Sequence, residues 1–110
     1  MSRPYVPIDV HEFKKRRDAG WNPYVLDVRG QSEADVSSFD FVDRLEPHTS
    51  VTRIAAELPR DRDILVHCRS GGRSAMACMA LAQLGFLNLF NLEGGINAWA
   101  AEIDPSLPVY

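Results

Sequence analysis

The sequence has no apolar run long enough to cross a bilayer as a helix. Its opening, Met1-Ser2-Arg3-Pro4-Tyr5, lacks the apolar core of a signal peptide. Only two cysteines occur, Cys68 and Cys78, too few for a disulfide framework. The default expectation is therefore a reducing, cytoplasmic setting with no membrane partner. Histidines are scarce, and His11, His48 and His67 show no metal-ligand spacing, so no metal is expected. A basic excess is missing too: 12 Lys and Arg against 15 Asp and Glu give a net charge of −3. That balance argues against a nucleic-acid partner. There is no internal repeat and no low-complexity tract. A chain of 110 residues with 45% hydrophobic residues can bury a core without staples, and residues 1–110 are read as one domain.

What is present centres on one stretch. Ile64-Leu65-Val66 is a short apolar run, as in a strand buried on both faces. His67-Cys68-Arg69-Ser70-Gly71-Gly72-Arg73-Ser74 follows, and Ser74 opens a run of helix formers that ends at Leu84, before Gly85. Cys68 is thus expected at the carboxyl end of a strand with a helix N-terminus aimed at it. Amides and the helix dipole favour an anion there. Arg69 and Arg73 add positive charge beside it. Such surroundings lower a thiol pKa and make the thiolate available.

The remainder alternates strand and helix. A short strand is read at Ile8. Asp9 then caps a helix, with Glu12 as its capping-box partner and Gly20 as its stop. The basic run Lys14–Arg17 reads as a solvated face. Further strands are read at Tyr24–Val28, Ile64–His67 and Leu89–Leu92, and helices at Gln31–Asp35, Val51–Glu57 and Ile96–Ala101. The start, Met1–Pro7, is read as irregular and the tail after Asp104 as extended. Residues 35–50 show no clear pattern. The alternation predicts an α/β fold: a small parallel sheet of about five strands with helices on both faces. Ligands in such sheets bind beyond the carboxyl ends of the strands, where Asp27, Arg29 and Cys68 fall.

Three segments, in order, resemble the rhodanese-like sulfurtransferase family: Leu26-Asp27-Val28-Arg29, Cys68-Arg69-Ser70-Gly71-Gly72-Arg73-Ser74, and Leu92-Glu93-Gly94-Gly95-Ile96-Asn97-Ala98-Trp99. The close, Asp104 to Tyr110, resembles the rhodanese domain of fused adenylyltransferase–sulfurtransferases that serve molybdopterin and thiamine pathways. Residues 36–48 depart from the family's usual glycine–histidine–isoleucine–proline segment, a change expected to reshape one wall of the site. The resemblance implies a persulfide on Cys68, taken from a small anionic donor such as thiosulfate. The loop from Arg69 through Ser70, Gly71, Gly72 and Arg73 to Ser74 would bind it, with Asp27 and Arg29 in support. It implies no cofactor. It also implies, as partner, a ubiquitin-like sulfur carrier protein or an adenylyltransferase domain.

Each residue also has a plainer reading. Cys78 and Trp99 are read as core, Cys78 with a resolving thiol as its alternative. His67 is read as a satisfied structural histidine turned away from Cys68, and Asp27 and Arg29 as members of structural ion pairs, Arg29 for example with Glu33. Two other functions share the scaffold. A phosphatase or arsenate reductase is one; the four residues between Cys68 and Arg73 make a loop one residue shorter than in the related phosphatases. A non-catalytic binding module is the other, and such modules usually lack the cysteine that this chain keeps.

Overall fold

The computed structural model describes residues 4–110. Met1–Arg3, part of the start expected to be irregular, lie outside the described residues. The elements run β1 (Val6–Ile8), α1 (Val10–Asp18), β2 (Tyr24–Asp27), α2 (Gln31–Val36), β3 (Arg44–Leu45), a 3-10 helix (Val51–Glu57), β4 (Ile64–His67), α3 (Gly72–Gln83), β5 (Leu89–Leu92) and α4 (Gly95–Glu102). The five strands form one sheet, ordered β1-β5-β4-β2-β3, and every pairing is parallel. Leu26 pairs with Val66 and Val66 with Asn91, which sets the carboxyl ends of the central strands side by side.

Strand alternation divides the core between two layers. Leu26, Ile64 and Val66 pack on one face with Ile54, Ala77, Cys78 and Leu81, beneath α3 and the 3-10 helix. Leu65 and Leu92 pack on the other with Val10, Phe13, Ile96 and Trp99, from α1 and α4. Cys68 continues the first face; His67 belongs to the second, where its ring lies 4.6 Å from Phe39. Cys78 and Trp99 are core, as expected.

Several local expectations change. β3 was not anticipated; its two residues pair with Leu26 and Asp27 and complete the sheet. Residues 51–57 wind as a 3-10 helix, because apolar residues three apart, Val51 and Ile54, suit that tighter pitch as well as an α-helix. Asp9 accepts the Glu12 amide at 2.8 Å, but the Glu12 carboxylate turns to Arg16 instead of closing the capping box. Lys14 and Lys15 are exposed as expected, whereas Arg16 and Arg17 are half-buried: Arg16 lies over Trp21 at 5.4 Å and Arg17 over Phe41 at 3.7 Å. Strand β1 begins at Val6, inside the stretch expected to be irregular. It lies at the sheet edge, and Pro7 at its centre has no N–H to offer.

Candidate active site

The loop between β4 and α3 curls around the Cys68 sulfur. The Gly71 amide donates to Sγ at 3.1 Å and the Ser74 amide at 3.4 Å, while the Cys68 thiol donates to the Ser74 hydroxyl oxygen at 3.4 Å. Gly71 makes this turn at φ +109°, a left-handed conformation that suits glycine, and a Cβ there would press on the Gly94 amide at 3.3 Å. Arg69, Ser70 and Gly72 face solvent, while Gly71 and Ser74 are buried.

Two neighbours fix the loop from outside. Asn91, on β5, donates through Nδ2 to the Gly71 carbonyl at 3.3 Å and to Glu93 at 3.0 Å, so its Oδ1 accepts the Ser74 hydroxyl. Helix α4 aims its first amides at the loop's start. Ile96 N–H donates to the Cys68 carbonyl at 3.0 Å and Asn97 N–H to the Arg69 carbonyl at 3.1 Å. Gly95 permits that approach, since a Cβ on it would sit 2.5 Å from the Arg69 oxygen.

Burial works to raise the Cys68 pKa. The Ser74 hydroxyl and the amides of Ser74, Gly71 and Ser70 outweigh it and hold the thiol below its ordinary value. The hydrogen-bond partners of the sulfur are therefore the backbone and a serine, not an arginine. Cys78, 0% exposed, is pushed up by burial to about 12 and is inert as a nucleophile at neutral pH.

The charged residues pair differently from expectation. Arg73 engages Glu33 through two bonds of 2.7 Å, and that contact, ahead of the other influences, holds the Glu33 carboxyl down at about 2. Arg29 does not take the Glu33 carboxylate. It is wholly buried, binds both Asp27 oxygens through Nε and Nη2, and donates through Nη1 to the Tyr110 hydroxyl at 2.9 Å. His67 is turned away from Cys68 but is not satisfied: neither ring nitrogen has a hydrogen-bond partner, and Asp27 lies 3.9 Å off. Burial pushes its pKa down to about 4, so the ring is neutral at pH 7. Among the described residues no cluster of three or more His, Cys, Asp or Glu side chains gathers as metal ligands, and no helix is long and apolar enough to cross a membrane.

The tail is not extended along its whole length. After a turn at Asp104–Ser106 it folds back so that Tyr110 reaches the loop, where its carbonyl accepts from Arg69 and from Asn97. Sequence reasoning gave Glu33 to the wrong partner and missed the roles of Asn91, Asn97 and Tyr110. Only Asn91 left a signal, a lone amide inside the apolar strand Leu89–Leu92. Two aromatic residues of the atypical segment 36–48 pack on the face away from the thiol. Phe39 and Phe41 stack there at 4.8 Å, against Phe13 and Trp99, and line a cavity of about 240 Å³ with Asp104 and Leu107.

A parallel five-stranded sheet that presents a cysteine in a ring of amides, beyond the carboxyl end of its central strand, defines a rhodanese-like architecture. The chain belongs to the Rhodanese-like domain family, which matches residues 9–102. It is 36% identical over 93 residues to a sulfurtransferase of Allochromatium vinosum, covering 84% of this chain and 86% of that protein. It is 33% identical over 105 residues to the probable adenylyltransferase/sulfurtransferase MoeZ of Mycobacterium tuberculosis, covering 94% of this chain but only 26% of MoeZ. The crystal structure of a rhodanese-related protein from Thermoplasma volcanium superposes with a TM-score of 0.76 at 33% identity, covering 94% of this chain and 96% of that one. Family and relatives together support a sulfurtransferase-type enzyme.

Proposed function

We propose that residues 1–110 act as one catalytic unit that carries sulfane sulfur as a persulfide on Cys68, from thiosulfate or another persulfide to a thiophilic acceptor. The observation that carries this reading is the convergence of the Gly71 and Ser74 amides and the Ser74 hydroxyl on the Cys68 sulfur. In the first half-reaction the Cys68 thiolate attacks the outer sulfur of thiosulfate. A new S–S bond forms, the donor's S–S bond breaks, and sulfite leaves with the electron pair. The terminal sulfur of the persulfide is then an anion within reach of the loop amides, which are already oriented and need no rearrangement. In the second half-reaction the acceptor attacks that terminal sulfur and Cys68 departs as thiolate.

The other residues take supporting parts. Arg69 is exposed and has no Asp or Glu side-chain partner among the described residues, so it is the cation that meets the donor. Arg73 adds its charge through the Glu33 pair and braces the start of α3. Asp27 and Arg29 hold the neighbouring strand end, and Ser70 and Gly72 leave the mouth of the loop open. A free, low-pKa thiol fits a reducing cytoplasm. Kinship with adenylyltransferase/sulfurtransferases supports a ubiquitin-like carrier as acceptor.

The test is intact mass after incubation with thiosulfate. One added sulfur, located on Cys68 and removed by cyanide, is expected. Unchanged mass with every sulfane donor tried overturns the reading. The carrier is tested separately by mixing persulfidated protein, an adenylating enzyme, nucleotide and carrier. A thiocarboxylated carrier supports the partner; transfer to small thiols alone removes it.

A further inference from the structure

The contacts of Tyr110 are not needed for sulfur chemistry, and they resemble those of a bound ligand. The Asn97 side-chain amide grips the Tyr110 main chain at both polar groups. Its Nδ2 donates to the carbonyl at 3.0 Å, and its Oδ1 accepts from the N–H at 3.2 Å. That is the donor–acceptor pair one strand residue offers its neighbour in a ladder. Arg69 donates to the same carbonyl, with its guanidinium 4.9 Å from the centre of the Tyr110 ring. The Tyr110 hydroxyl donates to Glu33 at 2.9 Å and accepts from Arg29 at 2.9 Å. The residue is therefore read through its main chain, its ring face and its hydroxyl.

The grip lies beside the loop that carries Cys68, reaching it through Arg69. Asn97 stands in the first turn of α4, whose amides hold the Cys68 and Arg69 carbonyls. Cys68 is 1% exposed, and Arg69, the cation suited to an incoming anion, is engaged by Tyr110. The segment leading to Tyr110 is held lightly: Pro105, Ser106, Pro108 and Val109 are exposed, and Leu107 is half-buried. A segment with so few buried contacts opens at little cost.

We propose that Asn97, Arg69, Arg29 and Glu33 form a binding site for an extended peptide segment, that Tyr110 fills it in cis, and that the sulfur acceptor inserts such a segment in its place. The last clause rests on the sulfurtransferase reading of Cys68; the site itself does not. The ligand class is a peptide strand recognised by its main chain, with a seat for an aromatic hydroxyl between Arg29 and Glu33.

The probe is an acetylated, amidated heptapeptide with the sequence of Asp104–Tyr110, added to the full chain. Wild type should bind it weakly, because its own tail competes. Tyr110→Ala should bind it about tenfold more tightly, as expected if the cis segment fills the site nine-tenths of the time. Tyr110→Phe, which keeps ring and main chain, should show a smaller gain in the same direction. Asn97→Ala added to Tyr110→Ala should abolish binding. Iodoacetamide should alkylate Cys68 faster in Tyr110→Ala, and the heptapeptide should restore protection. Equal binding by wild type, Tyr110→Phe and Tyr110→Ala, or binding indifferent to Asn97, overturns the site. None of these readouts requires sulfur to move. A protein that binds the peptide but takes no sulfur from any donor sinks the enzymatic reading and leaves the site standing; persulfide formation without peptide binding does the reverse.

Discussion

Arg73 lies in a forked pair with Glu33, each of its terminal nitrogens 2.7 Å from one carboxylate oxygen. The positive charge that the sequence sets five residues after Cys68 is thus already matched within the chain. Arg29 is matched in the same way by Asp27. Thiolate stabilisation falls to neutral groups, the amides and the Ser74 hydroxyl, and the following expectations are built on that division.

Cys68→Ser should abolish sulfite release from thiosulfate, while Cys78→Ser should retain most of the activity. The 0% exposure of Cys78 and its pKa of about 12 remove it from the chemistry. Sulfite release by Cys68→Ser at the wild-type rate, or its complete loss in Cys78→Ser, would contradict the single-cysteine mechanism.

Ser74→Ala should raise the Cys68 pKa, because it deletes the hydroxyl that opposes the effect of burial. Iodoacetamide alkylation followed against pH reads this directly. The wild-type midpoint should lie below that of an unperturbed thiol, about 8.5, and the variant midpoint above the wild type's. Coincident profiles would return the credit to the backbone amides alone.

Gly95→Ala should loosen the loop without touching the thiol. The added Cβ would meet the Arg69 oxygen at 2.5 Å and the Cys68 oxygen at 2.6 Å, at a residue whose φ is +60°. The cost should be about 2–4 kcal/mol, read as a lower denaturant midpoint, with slower persulfide formation. A variant as stable and as active as wild type would mean that α4 does not clamp the loop.

The legibility of the chain followed the distance between interacting residues. Strand Ile64–His67 and its loop were readable because apolar run, cysteine, glycines and helix start are contiguous. Leu89–Leu92 was readable for the same reason. Strand β3 was not, since two residues cannot display a period. The Tyr110 contacts join residues 77 and 81 positions apart, and nothing local marks either end. Glu33 was noticed but given to Arg29, four residues earlier in sequence, when its partner was Arg73, 40 residues away.

Acid should destabilise the fold in two stages. His67 has its pKa lowered from 6.5 to about 4, so between those values the unfolded chain binds the proton more readily. Stability should fall as pH drops through that window and then level. Glu33, lowered from 4.5 to about 2, adds a second loss as pH falls through its own window. Denaturant midpoints measured against pH should show both. His67→Leu, which removes two unpartnered buried nitrogens, should erase the first stage and keep or raise stability at pH 7. A His67→Leu profile that retains the upper stage would assign it to another group.

The sheet also closes itself to lateral growth. One border strand carries Pro7 and cannot complete a ladder, and the other, Arg44–Leu45, is too brief to template a neighbour. Self-association by strand annexation is thereby discouraged on both flanks. An incoming strand thus finds no ready template at either border of the sheet.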